Sequence, residues 1–83
     1  MYQCPCCGNN TFSVPPDCAI AFICPVCFWE NDVFLNSPDE ASDENGGMTL
    51  LEARENYLKF GAVQEHLVQF TRPPTPKERK NGF

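Results

Sequence analysis

Eighty-three residues are enough for one domain, but a chain this short buries only about 60% of the surface its unfolded form exposes. It needs a staple, and six cysteines offer one, as disulfides or as metal ligands. Residues 1–71 hold ten Asp/Glu against two Lys/Arg, and residues 72–83 hold one against four. The balances of −8 and +3 sum to the net −5, so the body repels phosphate backbones and suits a basic partner.

No apolar run approaches membrane-spanning length. The opening Met1-Tyr2-Gln3-Cys4 lacks the basic and apolar regions of a secretory signal. A cytoplasmic protein with reduced cysteines is therefore expected, which favours a metal over disulfides.

Two cysteine loops come first in rank. Cys4-Pro5-Cys6-Cys7-Gly8 and Cys24-Pro25-Val26-Cys27 form a C-x2-C-x16-C-x2-C pattern. Two residues between cysteines allow a tight turn to aim both sulfurs at one ion, so Cys4, Cys7, Cys24 and Cys27 are the expected ligands. Proline pre-sets each turn, and Gly8 supplies a permissive backbone on leaving the first. Phe28 stands where that glycine would be in the second.

Between the loops, Phe12–Val14 reads as a strand, Pro15-Pro16-Asp17 as a turn, and Ala19–Ile23 as the returning strand. Phe28-Trp29 and Val33–Leu35 suggest a third strand. Asn36 to Gly47 is polar and acidic and reads as a loop. Its Asp39, Glu40, Asp43 and Glu44 are either a solvated connector or an acidic strip for a partner. Thr49-Leu50-Leu51-Glu52 is a capping box, and a helix should run from about Leu50 to Phe60 with Gly61 closing it. Leu50, Ala53, Tyr57 and Phe60 share one face of that helix, with Leu51 and Leu58 in a stripe beside it. Phe12, Phe22, Trp29, Tyr57 and Phe60 are the candidate core. Gln64–Phe70 should be a short turn or strand, with the lone His66 a surface or packing residue. Residues 1–71 form the expected domain, and residues 72–83 an extended, flexible, Pro-rich and basic tail.

The chain resembles the bacterial cysteine-rich CPCC family. The likeness rests on CPCCGNNTF at residues 4–12, ICPVCFWEND at 23–32, LLEARENYLKFGA at 50–62 and TRPP at 71–74. It implies a small metal-binding domain with Cys4, Cys7, Cys24 and Cys27 as the knuckle cysteines. It implies no particular activity. Cys6 belongs to the motif, with either a reactive thiol or plain packing as its role, whereas Cys18 lies outside it.

The fold expectation is a small metal-stapled α+β domain with zinc-ribbon or rubredoxin-like β-hairpin knuckles and one packed helix. Four thiolates suit zinc or a single iron, with zinc favoured. A closed four-sulfur shell is structural, so no enzymatic role is expected. A second site from Cys6, Cys18 and His66 lacks close spacing. The function expected is a zinc-binding protein-interaction module, of an acidic immunity, antitoxin or adaptor type. The alternatives are an iron electron carrier and a nucleic-acid-binding ribbon, the latter opposed by the acidic body.

Overall fold

The computed structural model describes residues 1–80. Two turns with one backbone design organise it. In the first, the Cys4 N–H donates to the Asn9 carbonyl at 2.9 Å and the Gly8 N–H to the Cys4 carbonyl at 2.9 Å. In the second, the Cys24 N–H donates to the Trp29 carbonyl at 2.9 Å and the Phe28 N–H to the Cys24 carbonyl at 2.8 Å. The same left-handed exit follows in both, at φ 77° for Gly8 and φ 70° for Phe28. Glycine adopts it freely, while a side chain there costs about 1–2 kcal/mol.

Each knuckle closes on itself. Tyr2 and Phe12 exchange backbone hydrogen bonds at 2.8 and 3.0 Å around the first. Ile23 pairs with Glu30 around the second, and the Asn31 N–H donates to the Phe22 carbonyl at 2.8 Å. The expected hairpin linking the knuckles, Phe12–Val14 against Ala19–Ile23, is not formed. Phe12 and Ile23 take partners across their own knuckles, and the chain between makes tight turns. There the Cys18 N–H reaches the Pro15 carbonyl at 2.9 Å, and the Asn31 amide holds the Pro16 and Ala19 carbonyls at 2.7 and 2.9 Å. Val33–Leu35 is not a strand either. Asp32 accepts from the Phe34 N–H at 3.0 Å and turns the chain, leaving Phe34 exposed.

The named sheet lies instead in the acidic segment. Strand β1 (Ala41–Ser42) pairs antiparallel with β2 (Met48–Thr49), around a 3₁₀ turn at Asp43–Asn45. The segment is anchored by polar contacts that composition alone hides. Asn45 grips the Glu30 backbone twice, accepting from its N–H at 3.0 Å and donating to its carbonyl at 2.8 Å. Its amide also reaches Ser42 Oγ at 2.9 Å, and that fully buried hydroxyl donates to Asp32 at 2.8 Å. Asn45 thus stands in for a strand partner.

Helix α1 (Leu50–Phe60) has the expected bounds. Thr49 Oγ1 accepts from the Glu52 N–H at 3.1 Å, and Glu52 accepts from the Thr49 N–H at 3.0 Å. Gly61, left-handed at φ 81°, donates to the Tyr57 carbonyl and ends it. Leu50 and Ala53 enter the core, Tyr57 packs half-buried against it, and Phe60 stays at the surface, as do Leu51 and Leu58. The 3₁₀ helix Glu65–Phe70 follows.

Of the expected aromatic core, Phe12 and Trp29 are fully buried. Phe22 is partly exposed, edge-on to Phe12 with centroids 4.9 Å apart. Val26, Val63 and the cysteines complete the centre. Arg72–Lys80 returns to the body: the Arg72 N–H reaches the Pro25 carbonyl at 3.3 Å and the Asn10 N–H the Glu78 carbonyl at 2.6 Å.

Asn45→Ala removes three hydrogen bonds around Glu30 and Ser42, two of them to backbone groups. A loss of about 1–3 kcal/mol in urea unfolding of the metal-loaded protein is expected, against less than about 0.5 kcal/mol for Asp43→Ala on the same turn. Equal effects would mean that Asn45 does not anchor the segment.

Candidate metal centre

The knuckles bring four sulfurs together. The ligand atoms of Cys4, Cys7, Cys24 and Cys27 all lie within 4.8 Å of one another, and each residue is 0–3% exposed. Cys4 and Cys27 approach at 3.7 Å, Cys7 and Cys24 at 3.8 Å. A disulfide needs roughly 2.05 Å, so these are not bonded pairs. A tetrahedron with metal–sulfur bonds of roughly 2.3 Å has edges of about 3.8 Å, and the close pairs match it. All six cysteines are free. The donor set therefore fits one tetrahedral ion.

The sulfurs lie in a prepared surround. Thr11 Oγ1 stands 3.1 Å from Cys24 Sγ, and the Trp29 N–H donates to Cys27 Sγ at 3.5 Å. Helix and following chain clasp the turns from outside. Arg54 Nε donates to the Pro5 carbonyl at 3.0 Å, and the Val63 N–H to the Cys27 carbonyl at 2.9 Å. Asn9 reaches the Tyr57 hydroxyl at 3.4 Å. None of Thr11, Arg54 or Val63 stands out in the sequence. A hydroxyl four positions past Cys7 was the available signal for Thr11; the other two depend on how the helix docks.

Crowding splits the thiols. That of Cys24 is driven far down by contacts with Cys27, Cys4 and Cys7, with Thr11 adding to the effect. Those of Cys4 and Cys27 are driven far up, with the neighbouring Cys24 the leading cause and burial adding to it. Without a cation the cluster cannot ionise all four groups. A divalent ion supplies the positive charge that permits it, which couples metal binding to proton release.

Other candidates lie apart. Cys6 is buried beside Cys27 but is not one of the four clustered donors. Cys18 is exposed on the turn after Pro16, and His66 is exposed on the 3₁₀ helix. Among the described residues these three do not form a second cluster. Asp39 accepts from Ser37 Oγ at 2.6 Å and Glu40 from the Asn36 N–H at 2.8 Å, so both also shape the local turn. Asp43 and Glu44 are exposed on the 3₁₀ turn.

Fold and cluster define a small α+β domain with a buried four-cysteine centre able to hold a metal ion. A family model described as cysteine-rich CPCC matches residues 2–78, and the chain belongs to that family. No curated protein and no solved structure matches it. No helix among the described residues is long and apolar enough to cross a membrane.

One metal ion per chain is expected. Cys24→Ser and Cys27→Ser should each abolish stoichiometric binding, whereas Cys6→Ser and Cys18→Ser retain it, read by elemental analysis after gel filtration. Stripping the ion with a chelator should unfold the knuckles, read as loss of amide dispersion, because structural zinc sites in small peptides contribute roughly 10–16 kcal/mol of apparent binding energy. Full retention of metal by Cys24→Ser would rule out the four-sulfur assignment.

The returning segment has its own signature. Arg72 Nη1 meets Glu78 Oε1 at 2.7 Å and Nη2 meets Oε2 at 2.9 Å. These bonds, then the Thr75 N–H, hold the Glu78 carboxyl down to about 2. Its stabilising contribution is in place above the ordinary value of 4.5 and is lost as pH falls towards 2. Carboxyl NMR should find Glu78 still ionised at about pH 4 in the wild type and titrating higher, part of the way back to its ordinary value, in Arg72→Ala, where the Thr75 N–H remains. Ordinary titration in the wild type would show that the segment is not held in this way.

Proposed function

We propose that this protein is a zinc-stapled, non-catalytic module that binds a basic protein partner. The observation that carries the reading is the closure of the four-sulfur centre: its ligands are 0–3% exposed, so no sulfur faces a substrate. A catalytic zinc keeps an open position, and this donor set leaves none. The ion then acts as a staple, and recognition falls to the surface it holds in shape. That surface is acidic, with a balance of −8 over residues 1–71. Charge of this sign steers basic partners and repels nucleic acid, as an immunity protein or regulatory adaptor requires. The matched knuckles support a zinc-ribbon or rubredoxin-like class, and the family resemblance a bacterial, cytoplasmic setting.

A second reading, an iron electron carrier, is favoured by one feature: the Trp29 N–H on Cys27 Sγ, a contact of the kind that tunes a metal–thiolate site. Metal analysis and a visible spectrum of protein purified at native expression level separate the two. Stoichiometric zinc and a colourless solution are expected; stoichiometric iron with visible charge-transfer bands would transfer the function to the metal. The partner reading is tested by capture with the tagged, metal-loaded full chain. Basic proteins retained at roughly 50 mM salt and released at roughly 500 mM are expected. Capture of none, or of nucleic acid alone, would refute it.

A further inference from the structure

Three local costs meet in one place. Phe28 holds a left-handed backbone at φ 70° that glycine holds in the other knuckle. Glu30 and Glu44 stand close enough for Glu44, by hydrogen bonding first, to raise the carboxyl of Glu30. Ile23 and Phe70, both large and apolar, are 42% and 60% exposed. Ile23, Phe28, Glu30 and Glu44 line one groove between the second knuckle, the 3₁₀ turn and the 3₁₀ helix. Phe28, Met48, Val63 and Leu67 form its apolar walls, and Glu30 and Glu44 its acidic side. The Phe70 ring extends the wall, 5.8 Å from that of Phe28.

Folding alone does not account for this combination. Glycine at position 28 would relieve the backbone, and Phe28 is only partly buried, so part of its ring serves the groove wall. Two like charges facing each other cost stability unless a cation comes between them. Among the described residues, no lysine or arginine lines the groove. Its volume of about 220 Å³ falls below the roughly 300–1,000 Å³ of small-molecule sites, which suits one or two side chains better than a cofactor.

We infer that this groove docks a segment of a partner protein that places an arginine or lysine beside large apolar side chains. The cation sits between Glu30 and Glu44, and a neighbouring apolar side chain enters against Phe28, Met48 and Leu67. The occupant is set by charge complementarity with the carboxylate pair and by the apolar walls next to it. This rests on the partner-binding reading above and adds where the contact lies and what the partner must present.

The test is titration of isotope-labelled, zinc-loaded full chain with a synthetic end-capped peptide alternating leucine and arginine. Amide shifts should concentrate at Ile23, Phe28, Glu30, Glu44 and Leu67. A serine–arginine peptide of the same length should bind about tenfold more weakly or worse, because it lacks the apolar half of the match. The double variant Glu30→Gln/Glu44→Gln should weaken the leucine–arginine peptide about tenfold or more. The charge-matched Glu52→Gln/Glu55→Gln on α1 should change it less than about twofold. Phe28→Gly keeps the backbone its position prefers, so it should retain metal and amide dispersion while losing about tenfold in affinity. Shifts confined to another face, equal weakening by the α1 variant, or no binding at millimolar peptide would each overturn the groove. Such results leave the partner-binding reading standing if salt-sensitive capture succeeds; failed capture with binding at the groove refutes that reading alone.

Discussion

The structure depends on keeping four sulfurs together out of water. Thiols so close cannot all ionise unaided, yet as thiolates they are the strongest ligands the chain offers. A cation resolves that conflict, and the rest of the fold is arranged to hold the sulfurs where it can. Each knuckle satisfies its own backbone by a repeated pair of hydrogen bonds, so neither needs a long strand for support. Helix α1 and the chain after it then take the carbonyls that the turns leave outward: Pro5 goes to Arg54, Cys27 to Val63 and Pro25 to Arg72. The outer elements are fasteners around a small centre of four sulfurs.

How much of this was legible in the sequence depended on the range of the forces involved. The clustering of Cys4, Cys7, Cys24 and Cys27 and the bounds of α1 could be read because their causes are local. Two cysteines on one turn share a direction, and Thr49, Glu52 and Gly61 act within a single helix turn of the ends they cap. Strand pairing could not be read in the same way. Phe12–Val14 and Ala19–Ile23 alternate well enough for a hairpin, but alternation says nothing about which neighbour a strand will choose. Each flank paired across its own knuckle, a shorter closure once the turn exists. The acidic segment misled for a related reason. Ser42 and Asn45 look like loop residues until Asp32 and the Glu30 backbone are placed beside them.

The aromatic residues separate on the same principle. Phe12 and Trp29 lie within two residues of a knuckle's closing hydrogen bonds and are drawn in with it. Phe60, at the end of α1, is carried past the edge of a core only a few side chains wide, while Ala53 in the middle of the same face is fully buried. Helical periodicity correctly identified the face but could not reveal how much of its length the core would cover. Size was decisive: the volume at the centre is taken by cysteines, Val26 and Val63, which leaves little room for further rings.

That shortage of interior space has a consequence for the surface. A domain held mainly by apolar burial must place its large side chains inside, since each contributes roughly 1.5–3 kcal/mol there. A domain stapled by an ion is less constrained. Ile20, Phe34, Leu58 and Phe70 stand 60–83% exposed without costing the fold its cohesion. Single exposed apolar residues are ordinary, and Ile20, Phe34 and Leu58 need no special account. Phe70 differs because its ring sits against Phe28, which occupies a backbone conformation better suited to glycine. The closure of the second knuckle, with the Phe28 N–H on the Cys24 carbonyl at 2.8 Å, holds Phe28 in that conformation. The metal centre and the surface beside it are therefore physically coupled: the four sulfurs at the centre fix the turn whose exit presents Phe28 to solvent.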